Sequence, residues 1–511
     1  MKEPKNMKSN LSITPSRKRA TIFQAVGGYI NTGIIVVQGL LLIPLYLYYI
    51  GVHTYGLWLA SGGILGMLSL MNFGISRILI QRIANAYGKQ EHALAGAYFI
   101  NGMVVYLFIC LLFGLVGWGA SMWVPSIPGV AGDEAALLQN CFQLTVIAMT
   151  VGILNECLRS FSQALLRPVV PMVGMAIGRI IGIGVTVWML FESFGLWAIP
   201  MGTLAAELTI LIVNLFNAVN LFRWLEVKIT LDHKIIKEYV KTSPILLMAT
   251  TGNTISQEAE PLLITIFLSP EVTTAYMITR KAADIVFGVL SVVVGSIMGP
   301  FSHLAGSDDK EKIKGVVNKL LILSFSLGII GFASYVATNE FFISLWVGEL
   351  FVLDSNIILF IGLGFFARNL RGLMGQFLYG LGDFIHTSMI VLLEGAGRII
   401  LAVVLLRFFG VIGVPLAFSF ACLVTTFIMG LRLTNKLGAE INYQVLTKLL
   451  FNALIVFGMS FIMVNLNLSI VSWSQFVIYL VLVTAVLTII YGLINFNMIQ
   501  QIYKQILNER V

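Results

Sequence analysis

Six basic residues lie inside apolar stretches of this sequence: Arg179, Arg280, Lys281, Arg368, Arg371 and Arg398. A charge held in hydrocarbon costs on the order of 3 kcal/mol at mid-helix, so each needs a carboxylate, water or an anionic ligand. Two have an acid one turn away on the same helix face, Arg280 with Asp284 and Arg398 with Glu394. That i,i+4 spacing brings side chains together. These two arginines are either structural, locking helices in place, or ligands for a cargo, and the sequence leaves both readings open. Arg179, Lys281, Arg368 and Arg371 have no such neighbour. A water-filled cavity or an anionic substrate explains them better.

The acids Glu258, Glu260, Asp284 and Glu394 also fall within apolar runs. Each is either a hydrogen-bonded structural acid or a group that titrates and couples movement to protons or sodium. Glu207 stands alone in its stretch, and Glu156 and Arg159 form an i,i+3 pair.

The elements that must position these charges are membrane helices. The chain has 511 residues, of which 58% are hydrophobic and only 11% charged. Its mean hydropathy is +0.92. So few charges cannot cover the surface of a water-soluble protein, whereas lipid favours apolar side chains on the outside too. With roughly 20 apolar residues needed per crossing, about 14 spans fit between residues 22 and 496. The expected fold is therefore all-α and polytopic.

The net charge of +8 does not point to nucleic acid, because the basic residues sit mostly in short gaps between apolar runs. Odd-numbered loops hold acids such as Glu134, Glu192, Glu271 and Glu349 and only one basic residue, the interfacial Arg407. Even-numbered loops hold clusters such as Lys234, Lys237 and Lys241, or Lys310, Lys312 and Lys314. Cytoplasmic loops concentrate Lys and Arg, so both termini are expected in the cytoplasm. The tenth loop, at Gly382 and Asp383, departs from this pattern because it has no basic residue of its own. The first 21 residues are a basic tail, and the apolar run after them is too long for a signal peptide.

The two halves repeat. GRII occurs at 178–181 and again at 397–400, an offset of 219 residues. FGLWAIP at 194–200 answers FGVIGVP at 409–415, an offset of 215. RIANAYGKQE at 82–91 stands opposite HLAGSDDKEK at 303–312, an offset of 221, which Tyr55 and Tyr276 share. Six spans per copy is an even number, so both copies enter the membrane the same way round. The expected organisation is a cytoplasmic tail 1–21, a six-helix bundle 22–222, a linker 223–242, a second bundle 243–434 and an added helix pair 447–496. Pro200 and Pro415 are equivalent in the repeat and are expected to mark a shared bend.

No soluble catalytic module is visible: no P-loop, HExxH, GxSxG or nucleotide fingerprint occurs. No cofactor or metal is expected. The four cysteines lie in apolar runs without a CxxC pair and read as buried thiols.

The stretch YGLWLASGGILGMLSLMNFGISRILIQRIANAYGKQE, 55–91, and the GRII…FG…G.P segments resemble bacterial polysaccharide-biosynthesis membrane proteins. Their superfamily also holds the lipid II flippases and the multidrug and toxic compound extrusion transporters. The resemblance implies alternating access between two six-helix bundles around a cationic cavity. It implies a polyprenyl-pyrophosphate-linked oligosaccharide as cargo, for lipopolysaccharide or exopolysaccharide synthesis. It also implies work alongside a polysaccharide polymerase and glycosyltransferases. Arginine forks suit a pyrophosphate. On this reading Arg280, Lys281, Arg179, Arg368, Arg371 and Arg398 include the cargo ligands, and Asp284, Glu258, Glu260 and Glu394 are candidates for ion coupling. An ion-coupled drug or metabolite antiporter is the alternative, but organic cations call for intramembrane acids more than for unpaired bases. A membrane-embedded glycosyltransferase would need a large external loop or a carboxylate cluster, and the loops are short.

Overall fold

The computed structural model describes residues 17–72, 74–225, 230–305, 310–438, 443–464 and 470–495. The basic residues Lys2, Lys5 and Lys8, the closing Lys504 and Arg510, and part of the repeat stretch 303–312 lie outside them. Among the described residues there are fifteen α-helices and no strand. Ten stretches are long and apolar enough to cross a membrane, and one of them, 384–437, contains two helices. The protein is a multi-pass membrane protein.

The chain divides into two compact units, Met1–Leu247 and Met248–Val511. In the first, α1 (Arg17–Tyr49) and α2 (Val52–Leu68) are followed by a short α3 (Ile75–Gly88). Then come α4 (His92–Ser121), α5 (Asp133–Ala164), α6 (Val169–Phe191) and α7 (Ala198–Trp224). Helix α8 (His233–Phe267) runs across the division. The second unit continues with α9 (Pro270–Ala305), α10 (Lys310–Trp346), α11 (Ser355–Gly380), α12 (Phe384–Phe409) and α13 (Gly413–Leu437). A pair, α14 (Tyr443–Val464) and α15 (Trp473–Ile494), ends it. Ser326 and Tyr491 share a 2.7 Å hydrogen bond and Ser334 and Thr484 one of 3.1 Å, fastening α15 to α10.

The repeat is visible in the backbone. A 3-10 turn at Gly195–Trp197 opens α7, and another at Gly410–Ile412 opens α13, again 215 residues apart. Gly195 (φ +56°) and Gly410 (φ +63°) both have a positive φ, which glycine adopts without a steric penalty. Pro200 and Pro415 are each the third residue of their helix. There the missing N–H has no partner to lose, so both prolines start helices instead of bending them.

Other boundaries also differ from the sequence reading. The apolar run 56–80, expected as a single second span, stops at Leu68, gives way to a 3-10 turn at Ser69–Asn72, and resumes as α3 after Gly74, which is left-handed (φ +64°). Helix α8 begins at His233, inside the stretch 223–242 read as a linker. Its first turns are tied to the first unit. Asn101 accepts from the backbone N–H of Asp232 (2.8 Å), Tyr239 donates to the carbonyl of Tyr98 (3.1 Å), and Arg82 pairs with Glu238. Those contacts give the polar start of α8 a reason to be helical and docked.

Candidate functional site

The second unit gathers seven of the singled-out charges into one cluster, all but Asp284 buried. Gly252 of α8 and Gly395 of α12 pass so close that a Cβ on either would meet the other helix's backbone. Such contacts between small residues let membrane helices approach closely. The approach brings Glu260 of α8, 2% exposed, to Arg398 of α12, 3% exposed, and the two form an ion pair. Glu260 also accepts from Nη1 of Arg280 in α9 at 2.6 Å. Arg280 reaches Asp284 one turn on, at 3.3 Å, as the spacing predicts. Arg398 stacks on the ring of Phe418, 4.0 Å from its centroid, which adds cation–π attraction.

The pairing expected between Arg398 and Glu394 is corrected. Glu394 turns instead to Arg371 of α11, 3.2 Å away, and accepts from the Thr425 hydroxyl at 2.5 Å. Arg371, expected to lack a partner, therefore has one. Residues 394 and 398 are one turn apart, but each faces a different neighbouring helix, and the inter-helix carboxylate–guanidinium geometry is preferred.

Arg368 remains apart. It is 9% exposed and lies over the ring of Phe287 (4.1 Å) and near that of Phe365 (5.6 Å), two rings that meet edge to face. Among the described residues no carboxylate pairs with it, and its buried Nε makes no hydrogen bond. Lys281 is half-buried on α9 and makes no hydrogen bond or ion pair among the described residues. Glu258 is half-buried on α8. Four guanidiniums, of Arg280, Arg368, Arg371 and Arg398, thus stand in the cluster with three carboxylates, of Glu260, Asp284 and Glu394, and Arg368 is the one outside the ion pairs. One positive charge is left over among them, and Glu258, which Arg280 attracts electrostatically, offsets the charge of Lys281.

Arg179 sits elsewhere, in the first unit, on a cavity of about 300 Å³ lined also by Asn155, Glu156, Arg159, Glu207 and Asn214. Glu207 is not alone there. Asn155 donates to its Oε2 at 2.8 Å and to its backbone carbonyl at 2.9 Å, and Asn214 donates to Asn155 at 3.3 Å. Arg159 and Glu156 pair at 4.0 Å, as their spacing predicts. Arg179 makes no hydrogen bond or ion pair among the described residues, and its Nε is buried without a partner. The neutral members of these sites, Asn155, Asn214, Thr425 and the aromatic rings, were not singled out from the sequence. Amides within apolar helices were a usable signal, because an amide in hydrocarbon needs a partner.

The tenth loop is also completed by the fold. Asp383, between α11 and α12, accepts from Arg432 of α13 through both Nε and Nη2, the latter at 2.9 Å, and from His386 at 3.0 Å. The Arg432 hydrogen bond, helped by that of His386, holds the Asp383 carboxyl below its usual range against the opposing effect of burial.

Comparison with known proteins follows this geometry. Residues 55–352 match the family model described as polysaccharide biosynthesis protein. No curated protein matches the sequence. Among solved structures, lipid II flippase MurJ in an inward closed conformation is similar at a TM-score of 0.70 and 14% identity, covering 92% of this chain and 99% of that one. An inward-facing multidrug resistance MATE family transporter of the MOP superfamily gives 0.62 at 13% identity, covering 82% of this chain and 100% of that one. A MOP superfamily transporter from Pyrococcus furiosus, described by the reverse polarity of its binding pocket, gives 0.63 at 12% identity, covering 83% and 97%. At such identities the likeness is one of fold, while the family match covers more than half of the sequence. The chain belongs to the polysaccharide biosynthesis protein family and is built on the fold of the MOP superfamily.

Proposed function

We propose that this protein is a flippase that carries a polyprenyl-pyrophosphate-linked oligosaccharide from the cytoplasmic to the outer leaflet of a bacterial inner membrane, by alternating access. The observation that carries this reading is Arg368: a buried guanidinium against aromatic rings, without a paired carboxylate among the described residues, in a cluster with more guanidiniums than carboxylates. An uncompensated buried charge is expensive, so such a site favours a ligand that brings negative charge with it. A pyrophosphate does so, and its sugars explain why it needs a carrier, since they would lose their hydrogen bonds in hydrocarbon.

Arg368 and Lys281 are the first ligands proposed, with Arg179 a further one in the first unit. Arg280, Arg371 and Arg398 already hold carboxylates and join by exchanging them for phosphate. Glu258, Asp284, Glu260 and Glu394 are the groups whose titration could couple the cycle to an ion. Family membership supports a role in surface-polysaccharide synthesis, upstream of a polymerase and downstream of glycosyltransferases. Both termini are proposed to be cytoplasmic, so an external thiol reagent should label Gly132→Cys and spare His233→Cys.

The test is complementation of a strain lacking its polysaccharide flippase, with membrane levels of each variant measured alongside. Arg368→Gln and Lys281→Ala should abolish complementation at normal protein levels, and Lys281→Arg should restore part of it. Full activity of an Arg368→Gln, Lys281→Ala double variant would reject the site. Failure of the wild type to complement, together with ion-dependent efflux of organic cations, would favour the antiporter.

A further inference from the structure

Between the start of α12 and the end of α13 lies a groove of about 610 Å³. Its floor and walls are apolar, with Met389 and Ile428 each 41% exposed in it. One end is basic: His386 from the first turn of α12, and Arg432 and Lys436 from the last turns of α13. No lining residue is acidic. The nearby carboxylate, Asp383, is already engaged by Arg432 and His386.

This clamp orients the cations. Asp383 is the residue before α12, yet its side chain does not cap that helix; it is turned onto Arg432 instead. Arg432 is thereby fixed with Nε and Nη2 on the carboxylate, and Nη1 makes no hydrogen bond among the described residues. Lys436 is exposed and has no ion pair among the described residues. The positive end of the 26-residue α12 points into the same region. A groove apolar along its length and cationic at its mouth matches one kind of molecule in a bilayer.

We infer that this groove binds an anionic phospholipid, its phosphate at Lys436, His386 and Nη1 of Arg432 and one acyl chain along Met389 and Ile428. The charge pattern selects the occupant. A neutral lipid would leave the mouth uncompensated, and a soluble anion would leave the apolar walls uncovered. Basic pockets between membrane helices recognise anionic headgroups in this way. The site lies apart from the residues proposed for cargo and does not depend on that proposal.

The full chain, purified and delipidated in detergent, should be titrated with phosphatidylglycerol and, separately, with phosphatidylcholine of the same acyl chains, and bound lipid counted by native mass spectrometry. Wild type should retain phosphatidylglycerol in preference. Lys436→Gln should reduce that preference about fivefold, the usual effect of one basic group near a membrane surface. Lys237→Gln, which removes an exposed lysine from the first unit, should leave it unchanged. Ile428→Trp, which fills the groove, should reduce retention of phosphatidylglycerol with the basic residues intact. Melting curves confirm that each variant is folded. Equal retention of the two lipids by wild type would overturn the proposal. So would a preference that survives both Lys436→Gln and Ile428→Trp, or one that Lys237→Gln weakens as much as Lys436→Gln does.

Discussion

Arg398 of α12 forms an ion pair with Glu260 and lies on the face of Phe418; its repeat counterpart in α6, Arg179, forms no ion pair and lies on no ring among the described residues, and it lines a 300 Å³ cavity with Glu207. The offsets that align the halves explain why. Helix α1, the counterpart of α8, carries no acidic residue from Arg17 to Tyr49, so nothing stands where Glu260 would be. At the 215-residue offset Phe418 falls on Thr203, and Cys422 falls on Glu207. The first unit thus places its acid on α7, where an asparagine holds it, and leaves its arginine attracted across the cavity but not ion-paired. The repeat preserves backbone turns and the arginine itself, while the partners have been redistributed. One copy has become a lock and the other an open, polar cavity.

The largest effect that would break this comparison is on stability. Removing one partner of a buried ion pair leaves an uncompensated charge and costs about 3–5 kcal/mol. Glu260→Ala strands Arg398 and leaves Arg280 with Asp284 alone, and should lower the thermal midpoint in detergent more than any other single substitution named here. Arg398→Ala should follow it. Arg179→Ala should stay within about 1 kcal/mol of wild type, because it breaks no ion pair and Glu207 keeps its hydrogen bonds from Asn155. If Arg179→Ala melts as early as Arg398→Ala, the two arginines are equivalent and the asymmetry fails.

A smaller effect sharpens the comparison from the acid side. Asn155→Ala takes two hydrogen bonds from Glu207, one of them to the carboxylate, and should cost about 1.5–3 kcal/mol. Thr425→Val takes one from Glu394, which keeps Arg371, and should cost about 1–2 kcal/mol. Thermal melting ranks the two; a larger loss for Thr425→Val would show that Glu394 depends on the hydroxyl more than on its guanidinium.

The smallest effect is at the edge of the second unit and depends on pH. The Asp383 carboxyl is depressed by Arg432, so its contribution to stability is present above the unfolded value of about 3.9 and is lost as pH falls through the lower folded value. Melting curves of wild type and Asp383→Asn should therefore converge below about pH 4 and separate above it. A constant gap across that range would show that the carboxylate's charge is not what Arg432 holds.

How much of this was legible differs from residue to residue. The helices and the repeat could be read because they depend on local properties, namely apolar length, loop charge, and the FG…P pattern around Gly195 and Gly410. The Arg280–Asp284 pair could be read because one helix face carries both. Arg398–Glu260 could not, since its partners are 138 residues apart and meet only where Gly252 and Gly395 let α8 and α12 touch. Arg371 was read as unpaired for the same reason. The two prolines misled because a proline in an apolar run marks a bend or a beginning, and only the backbone distinguishes them.

Asp383 has a consequence for how the chain is made. On the proposed topology its loop must remain in the cytoplasm, but the hairpin α11–α12 has no basic residue there to retain it. The retaining charge, Arg432, comes 49 residues later. At about 5–20 residues per second that is a wait of roughly 2–10 seconds. During biogenesis the hairpin therefore enters the membrane before its orientation is fixed, and α13 secures it retrospectively. A nascent chain halted just before Arg432 should expose Gly382→Cys to reagent on the wrong side of the membrane more often than one halted after Lys436.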